Sequence, residues 1–377
     1  MSLNNAQLRG NSREWVLVAM SGGVDSSVAA YLLKEEGYGV IGATMKLFCY
    51  GEKQERQKAC CSLESINDAK QVCEQLGIPY YVFDMEEEFE REVIEDFVKE
   101  YEKGRTPNPC IRCNQLIKFD YLLNKAKELN CDFLATGHYA RIANSNQSCH
   151  YERSGSCRKP KNPLKLLKGA DEAKDQTYFL YRLNQNQLSR IKFPLGELTK
   201  KEVRKIAKEG GLKTAEKAES QEICFVDTSV SEFISDKIKV KRGDILNTSG
   251  RKFGEHEGVP FYTIGQRKGL GGGFKEPMYV VDIDAAKNAV IVGQEQDLYK
   301  KEVFFDDANW ISGDTPAGTG LSAVIRYNMK EERVSELKQI QGAYKTIFEK
   351  KVRAVTPGQS IVFYSGDECL GGGIIKN

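Results

Sequence analysis

Histidine is scarce in this chain of 377 residues, which contains only His138, His150 and His256. Three histidines exclude a histidine-rich metal centre and leave few partners for a nucleophile–histidine triad. No run approaches the roughly 18 consecutive apolar residues that a membrane helix needs, so no membrane partner is expected. The polar N-terminus also lacks the apolar core of a signal peptide. Charge of one sign is missing too, because 55 Lys and Arg stand against 53 Asp and Glu for a net +2. Affinity for nucleic acid would therefore come from local patches rather than a global field. There is no internal repeat. What the chain does have is eleven cysteines. Without a secretory signal these point to reduced thiols, metal ligation or catalysis rather than a disulfide framework, and to a cytoplasmic location. Length and composition fit two or three globular domains.

The chain alternates strand and helix up to about residue 215. Trp15 to Met20 is a short continuous apolar run, as in a buried parallel strand. Val28, Ala29, Tyr31, Leu32 and Leu33 form a helical face that stops near Gly37. Val40 to Met45 and Tyr80 to Phe83 read as strands. Leu63–Leu76, Glu86–Tyr101, Leu116–Leu129 and Leu198–Lys208 read as helices, the last capped by Thr199 with Glu202 three residues on. Phe133 to His138 ends a strand in a turn. This order predicts a doubly wound parallel sheet, with ligands at the carboxyl ends of its strands, where Ser21, Met45 and His138 fall. Asn144 to Pro163 reads as an exposed loop. After about residue 215 glycine turns and short β-branched runs take over, including Tyr279–Val281, Val290–Val292, Ala323–Tyr327, Ser360–Tyr364 and Gly373–Ile375. That pattern is the mark of a small all-β barrel or sandwich.

Between the first strand and the first helix stands Ser21-Gly22-Gly23-Val24-Asp25-Ser26. Two glycines allow close backbone approach to a ligand, several amides can form an anion nest, and the helix adds its positive end. A phosphate site follows, but no Gly-Lys-Ser/Thr does, which excludes Walker A. The spacing is not that of a dinucleotide fingerprint either. The order resembles the pyrophosphate loop of enzymes that split ATP into AMP and pyrophosphate. A plain glycine turn, with Asp25 or Ser26 as helix cap, is the alternative.

The second segment of interest is Thr106-Pro107-Asn108-Pro109-Cys110-Ile111-Arg112-Cys113. Two prolines stiffen the approach to a Cys-x-x-Cys, and Arg112 can stabilise a thiolate. Cys224 stands alone at the junction with the β region. A Cys-x-x-Cys is also half of a zinc site, with Cys60-Cys61 as an awkward other half. Cys73, Cys131 and Cys369 interrupt apolar runs and read as buried and inert, and Cys149 and Cys157 read as passive loop residues.

With these segments, and with Gly104 to Pro109, Ala135-Thr136-Gly137-His138-Tyr139, Lys174 to Leu180, Gly265 to Leu270 and Cys369 to Gly373, the chain resembles the bacterial tRNA-specific 2-thiouridylases over almost its whole length. The resemblance implies an α/β catalytic domain of the adenine nucleotide alpha hydrolase type over residues 1–215. A small tRNA-contacting domain over 216–280 and a C-terminal β-barrel over 281–377 would follow. The implied activity is sulfur transfer to C2 of the wobble uridine of the tRNAs for Lys, Glu and Gln. ATP, with magnesium, would be held by Ala19, Met20, Ser21, Gly22, Gly23, Val24, Asp25, Ser26, Met45 and Gly137 and would adenylate the C2 oxygen. A persulfide on Cys224 would deliver sulfur, and Cys113 would resolve it and end disulfide-bonded to Cys224. Asn108, Pro109 and Cys110 would meet the target base. His138, Lys174, Asp175, Gln176, Arg326, Tyr327 and Gln359 would meet the rest of the tRNA, with Lys237, Lys239, Lys241 and Arg242 adding non-specific attraction. A cysteine desulfurase or sulfur-relay protein would supply the sulfur. Some members carry Asp at the position of Cys110. That departure leaves a second mechanism open, in which Cys110, Cys113 and Cys224 hold a four-iron four-sulfur cluster. Two rivals remain: a pyrophosphate-loop ligase acting on a small molecule, and a non-catalytic RNA-binding sulfur carrier.

Overall fold

A computed structural model describes residues 13–47, 63–144, 163–218, 223–226, 229–271 and 276–376. Cys60, Cys61, Cys149, Cys157, His150, nearly all of the Asn144–Pro163 segment and Ser220 to Glu222 lie outside the described residues. The chain folds into two compact units, one of residues 1–90 and 113–225, the other of residues 91–112 and 226–377.

The first unit opens with β1 (Trp15–Ala19), α1 (Val24–Glu35), β2 (Gly39–Lys46), α2 (Leu63–Leu76), β3 (Tyr80–Asp84) and α3 (Glu86–Phe89). The helix that α3 begins continues through a π-helical turn, Glu90–Ile94, into α4 (Glu95–Glu102), and α5 (Pro109–Arg112) follows in the second unit. Back in the first unit come a π-helical stretch, Cys113–Tyr121, then α6 (Leu122–Glu128), β4 (Phe133–Ala135), β5 (Ala140–Ala143) and β6 (Lys165–Lys168). The unit ends with α7 (Thr177–Leu180), α8 (Gln185–Leu188), β7 (Ile191–Lys192) and α9 (Lys200–Glu209). Its sheet runs β3-β2-β1-β4-β7, all parallel, with Val16 opposite Val40 on one side and Phe133 on the other. The apolar runs explain this placement, since Val16, Leu17 and Val18 are wholly buried in the central strand. Val28, Ala29 and Leu33 of α1 pack with Val72 and Cys73 of α2 and Val203 and Ala207 of α9 in one core. Burying a side chain the size of Leu33 contributes about 1.5–3 kcal/mol.

Strand order grows from β1 toward β2 and β3 in one direction and toward β4 in the other. The β1/β4 boundary is therefore the switch point of the sheet, the place where open α/β sheets bind their ligands. The loop after β1 and Gly137 after β4 both belong to that place.

In the second unit α10 (Val230–Lys237) is followed by β8 (Gly243–Asn247), β9 (Lys252–His256), β10 (Tyr279–Asp284) and β11 (Ala289–Gly293), paired in the order β10-β11-β8-β9. Then β12 (Tyr299–Trp310), β13 (Ser322–Val324), β14 (Glu332–Ile340), β15 (Ala343–Arg353), β16 (Ser360–Ser365) and β17 (Glu368–Ile375) close into a six-stranded antiparallel barrel, β12 pairing with both β15 and β17. Phe305, Phe348, Ile361 and Phe363 fill it. The expected all-β C-terminal region is thus a barrel.

Two expectations need correction. The strand read over Ala323–Tyr327 ends at Val324. Arg326 and Tyr327 sit in the turn that follows, closed by Met329 N–H donating to Arg326 O with Asn328 at φ 65°. The helix read from Leu116 has its start at Pro109, whose ring suits a first helical turn, and Asn108 Oδ1 accepts from Cys110 N at 3.1 Å.

Candidate functional site

The loop after β1 is built around two glycines. Gly22 has φ +67°, and a Cβ there would fall on the carbonyl group of Ser65 in α2, with the carbonyl carbon at 2.8 Å. Gly137 presses on the same loop from β4, since a Cβ would lie 2.8 Å from Asp25 C and Ser26 N. Only glycine permits both approaches. Ser26 Oγ accepts from Ser21 N at 3.1 Å and donates to Gly23 O at 3.2 Å, and Ser27 Oγ donates to Gly23 O at 2.9 Å. The serines therefore brace the turn, while no side chain caps the first amides of the twelve-residue α1. Those amides and the helix dipole favour an anion. Ser21 is exposed, Met20 and Val24 are buried, and Met45 is half-buried near the end of β2 beside Phe83 of β3.

Asp25 stands in the first turn of α1. Lys200 Nζ donates to its two carboxylate oxygens at 2.9 and 2.8 Å, and Tyr139 Oη donates to Oδ1 at 2.7 Å. Lys200 is the first residue of α9, where Thr199 and Glu202 form the expected capping box. Neither partner of Asp25 was singled out from the sequence, although Tyr139 belongs to one of the quoted motifs. A lysine at the positive end of a helix is the signal that could have found Lys200.

His138 is buried, its Nδ1 2.7 Å from Thr136 Oγ1 and its ring packed against those of Phe119 and Phe193, which also meet each other. Burial, helped by the charge of Lys118, holds its pKa well below the usual 6.5, so the ring is neutral. Asp175 organises its own turn by accepting from Thr177 Oγ1 at 2.6 Å and Gly169 N at 3.1 Å, and burial pushes its pKa up. Gln176 Oε1 accepts from Tyr139 N at 2.9 Å. Lys174 is half-buried in the same turn.

The thiols differ in environment. Cys110 is exposed, Cys113 is buried at the start of the π-helical stretch, and Cys224 is half-buried beside Phe225, whose ring packs edge-on against Phe89. Wide helical turns of this kind recur at functional positions. Cys73 and Cys131 have pKa values pushed up to about 12 by burial, and Cys369 is buried too, in line with inert packing.

In the second unit Thr106 N donates to Pro357 O, and Gln359 Nε2 donates to Thr106 O at 2.7 Å, so the buried Gln359 holds the approach to Asn108 and Pro109. Asn108 is half-buried and Pro109 buried. Arg326 Nη2 donates to Thr356 Oγ1 at 2.7 Å, and both Arg326 and Tyr327 are half-buried.

The chain matches three family profiles in succession: a tRNA methyl transferase HUP domain over residues 14–228, a tRNA methyl transferase PRC-barrel domain over 231–294, and an aminomethyltransferase beta-barrel domain over 300–375. It is 47% identical over 371 residues to the tRNA-specific 2-thiouridylase MnmA of Geobacter metallireducens, covering 97% of each chain. It is 48% identical over 366 residues to that of Halothermothrix orenii, covering 96% of this chain and 98% of the relative.

The chain belongs to the tRNA-specific 2-thiouridylase family.

The methyltransferase wording of the profiles and the thiouridylase names of the full-length relatives disagree, and the relatives, matched end to end, decide. Among solved structures, a U34-tRNA thiolase from Methanococcus maripaludis with its [4Fe-4S] cluster aligns over 61% of this chain and 65% of its own, at 21% identity and a TM-score of 0.34. So slight a likeness has no bearing on the cofactor of this thiouridylase. Among the described residues, which include Cys110, Cys113 and Cys224, no group of three or more His, Cys, Asp or Glu is placed to hold a metal ion. No helix among them is long and apolar enough to cross a membrane.

Proposed function

We propose that this enzyme uses ATP to replace the C2 oxygen of the wobble uridine in the tRNAs for Lys, Glu and Gln with sulfur. The observation that carries the nucleotide step is the backbone cradle at the switch point, where Gly22 and Gly137 hold the uncapped amides of α1. Ala19 to Ser26, with Met45 and Gly137, bind the nucleotide. Magnesium would arrive on the phosphates with most of its waters.

The C2 oxygen is a poor leaving group. Its attack on the α-phosphorus of ATP releases pyrophosphate and leaves AMP bonded to that oxygen. The terminal sulfur of a persulfide on Cys224 then attacks C2 and expels AMP. The Cys113 thiolate attacks the inner sulfur of the resulting C2–S–S–Cys224 link. This forms a Cys113–Cys224 disulfide and leaves the thiocarbonyl, and a thiol reductant resets the enzyme. Burial of Cys113 suits a resolving thiol that waits for the adduct. Cys110, exposed and three residues earlier, has no covalent part. A cysteine desulfurase or sulfur-relay protein loads Cys224. Asn108, Pro109 and Cys110 contact the base, and Lys174, Asp175, Gln176, Arg326, Tyr327 and Gln359 serve tRNA binding directly or by bracing the loops that touch it. His138, packed against two phenylalanines, braces the turn after β4 in the same way.

The test is tRNA-dependent release of pyrophosphate together with thiolation in iron-free protein. Cys113→Ser and Cys224→Ser should lose thiolation at least a hundredfold, and Cys110→Asp should keep it within a few-fold. Activity that appears only after anaerobic iron loading, and is lost in Cys110→Asp, would replace the relay with a cluster. Pyrophosphate release without tRNA would favour a small-molecule ligase, and none under any condition a sulfur carrier.

A further inference from the structure

Asp25 creates an electrostatic difficulty in its own loop. A carboxylate in the first turn of α1 competes with a polyphosphate for the same amides and the same helix end. Lys200 answers it with bonds to both oxygens, and the pair is partly sheltered, the side chains being 13% and 31% exposed. The position of Lys200 makes sense only in this light. As the first residue of α9 its cation sits at the positive end of a helix, a placement that works against stability unless it is used elsewhere.

Both partners of Asp25 are held by one short segment, the turn from Asp171 to Gln176. Asp171 Oδ2 accepts from Lys200 N at 2.9 Å, while its Oδ1 accepts from Ala173 N at 3.2 Å to start the turn. At the other end Gln176 grips Tyr139 twice, its Oε1 accepting from Tyr139 N at 2.9 Å and its own N donating to Tyr139 O at 3.1 Å. Tyr139 Oη then meets Asp25, and Lys200 Nζ lies 5.9 Å from the centre of the same ring. The turn thus fixes the backbone of each residue whose side chain holds Asp25.

We infer that Lys200 and Tyr139 are positioning residues for the nucleotide loop, set in place by the Asp171–Gln176 turn, and that Lys200 neutralises Asp25 so that the loop accepts the phosphates of ATP. This rests on the nucleotide reading above. The Lys174-Asp175-Gln176 segment, read from the sequence only as a tRNA contact, acquires a second task as the clamp of the ATP loop.

The experiment measures KM for ATP and kcat in tRNA-dependent pyrophosphate release, with the dissociation constant for tRNA measured without nucleotide. Lys200→Met keeps the length of the stem and removes the charge. It should raise KM for ATP tenfold or more, leave kcat within about threefold, and leave tRNA affinity unchanged. Asp171→Ala should raise KM for ATP at least threefold. Asp171→Asn keeps one acceptor oxygen for Lys200 N but loses the one that accepts from Ala173 N, so its KM for ATP should lie between those of wild type and Asp171→Ala. A KM for ATP that stays at the wild-type value in Lys200→Met overturns the inference, as does an Asp171→Asn variant as impaired as a folded Asp171→Ala. If Asp171→Ala does not fold, Lys200→Met decides alone. Wild-type protein that releases no pyrophosphate would instead defeat the nucleotide reading, leaving the two failures distinct.

Discussion

At the scale of single residues, the nucleotide loop depends on what Gly22 and Gly137 lack. With φ +67° and the Ser65 carbonyl in the path of any Cβ, Gly22 has no tolerable replacement. Gly22→Ala should reduce tRNA-dependent pyrophosphate release at least a hundredfold. tRNA affinity should stay within about threefold, and the cost in stability should be about 1–3 kcal/mol, as for strain at a special backbone conformation. Pyrophosphate release close to wild type would remove the loop from the chemistry. His138 sets a residue-scale limit of another kind. Its pKa is lowered in the folded state, so below the ordinary value of 6.5 the unfolded chain binds a proton that the folded chain refuses. Stability contributed by the neutral ring is whole above pH 6.5 and falls as pH drops below it, by up to about 1.4 kcal/mol per pH unit. His256, lowered by burial as well, adds a contribution of the same sign. Denaturant titrations from pH 7.5 to 5 should show this slope, and His138→Gln should lower it by about one proton. An equal slope in the variant would mean that His138 is protonated where it lies.

At the scale of elements, the α9 terminus joins stability to function. Thr199 Oγ1 caps the helix and accepts from Glu202 N, while Glu202 Oε2 accepts from Thr199 N at 2.7 Å. Thr199→Ala should cost about 1 kcal/mol of unfolding free energy. Because Lys200 is the next residue, it should also raise KM for ATP several-fold, whereas removing an exposed residue at the far end, as in Glu209→Ala, should leave KM alone. Equal KM values in the two would separate the cap from the loop. Elements also show why some of the molecule was legible in advance. Strands β1, β2 and β4 are largely apolar runs, and Thr199 with Glu202 announces a helix start. In the barrel, β15 buries Tyr344, Thr346 and Phe348 on alternate positions and then exposes Glu349, Lys350 and Lys351. A strand with one wet face and a charged end carries too little apolar signal to stand out, and β12 and β14 stayed hidden for the same reason. The site divides similarly. Gly22, Gly137 and the cysteines announce themselves through local chemistry. The role of Lys200 depends on the start of α9 reaching α1 across 175 residues of sequence, and no local pattern records that.

At the scale of the whole molecule, a net charge of +2 gives the enzyme no long-range pull on tRNA. Affinity must be assembled from particular cations, and the second unit carries several of them without any of the phosphate loop. Lys237, Lys239, Lys241 and Arg242 are exposed there, and Arg326 stands in the turn after β13, tied through Nη2 to Thr356 Oγ1. If Arg326 meets a phosphate, Arg326→Gln should weaken tRNA binding at every salt concentration. It should also reduce the slope of log affinity against log salt by about 0.7–0.9, the release of one counterion. Arg326→Lys keeps the charge and should keep the slope, even where the altered bond to Thr356 lowers affinity. KM for ATP should be the same in all three proteins, since the residue belongs to the unit without the loop. The decisive comparison is a salt series on wild type, Arg326→Gln and Arg326→Lys. Parallel lines for wild type and Arg326→Gln would mean that Arg326 only braces its turn, and a lower slope in Arg326→Gln alone would mean that it holds tRNA.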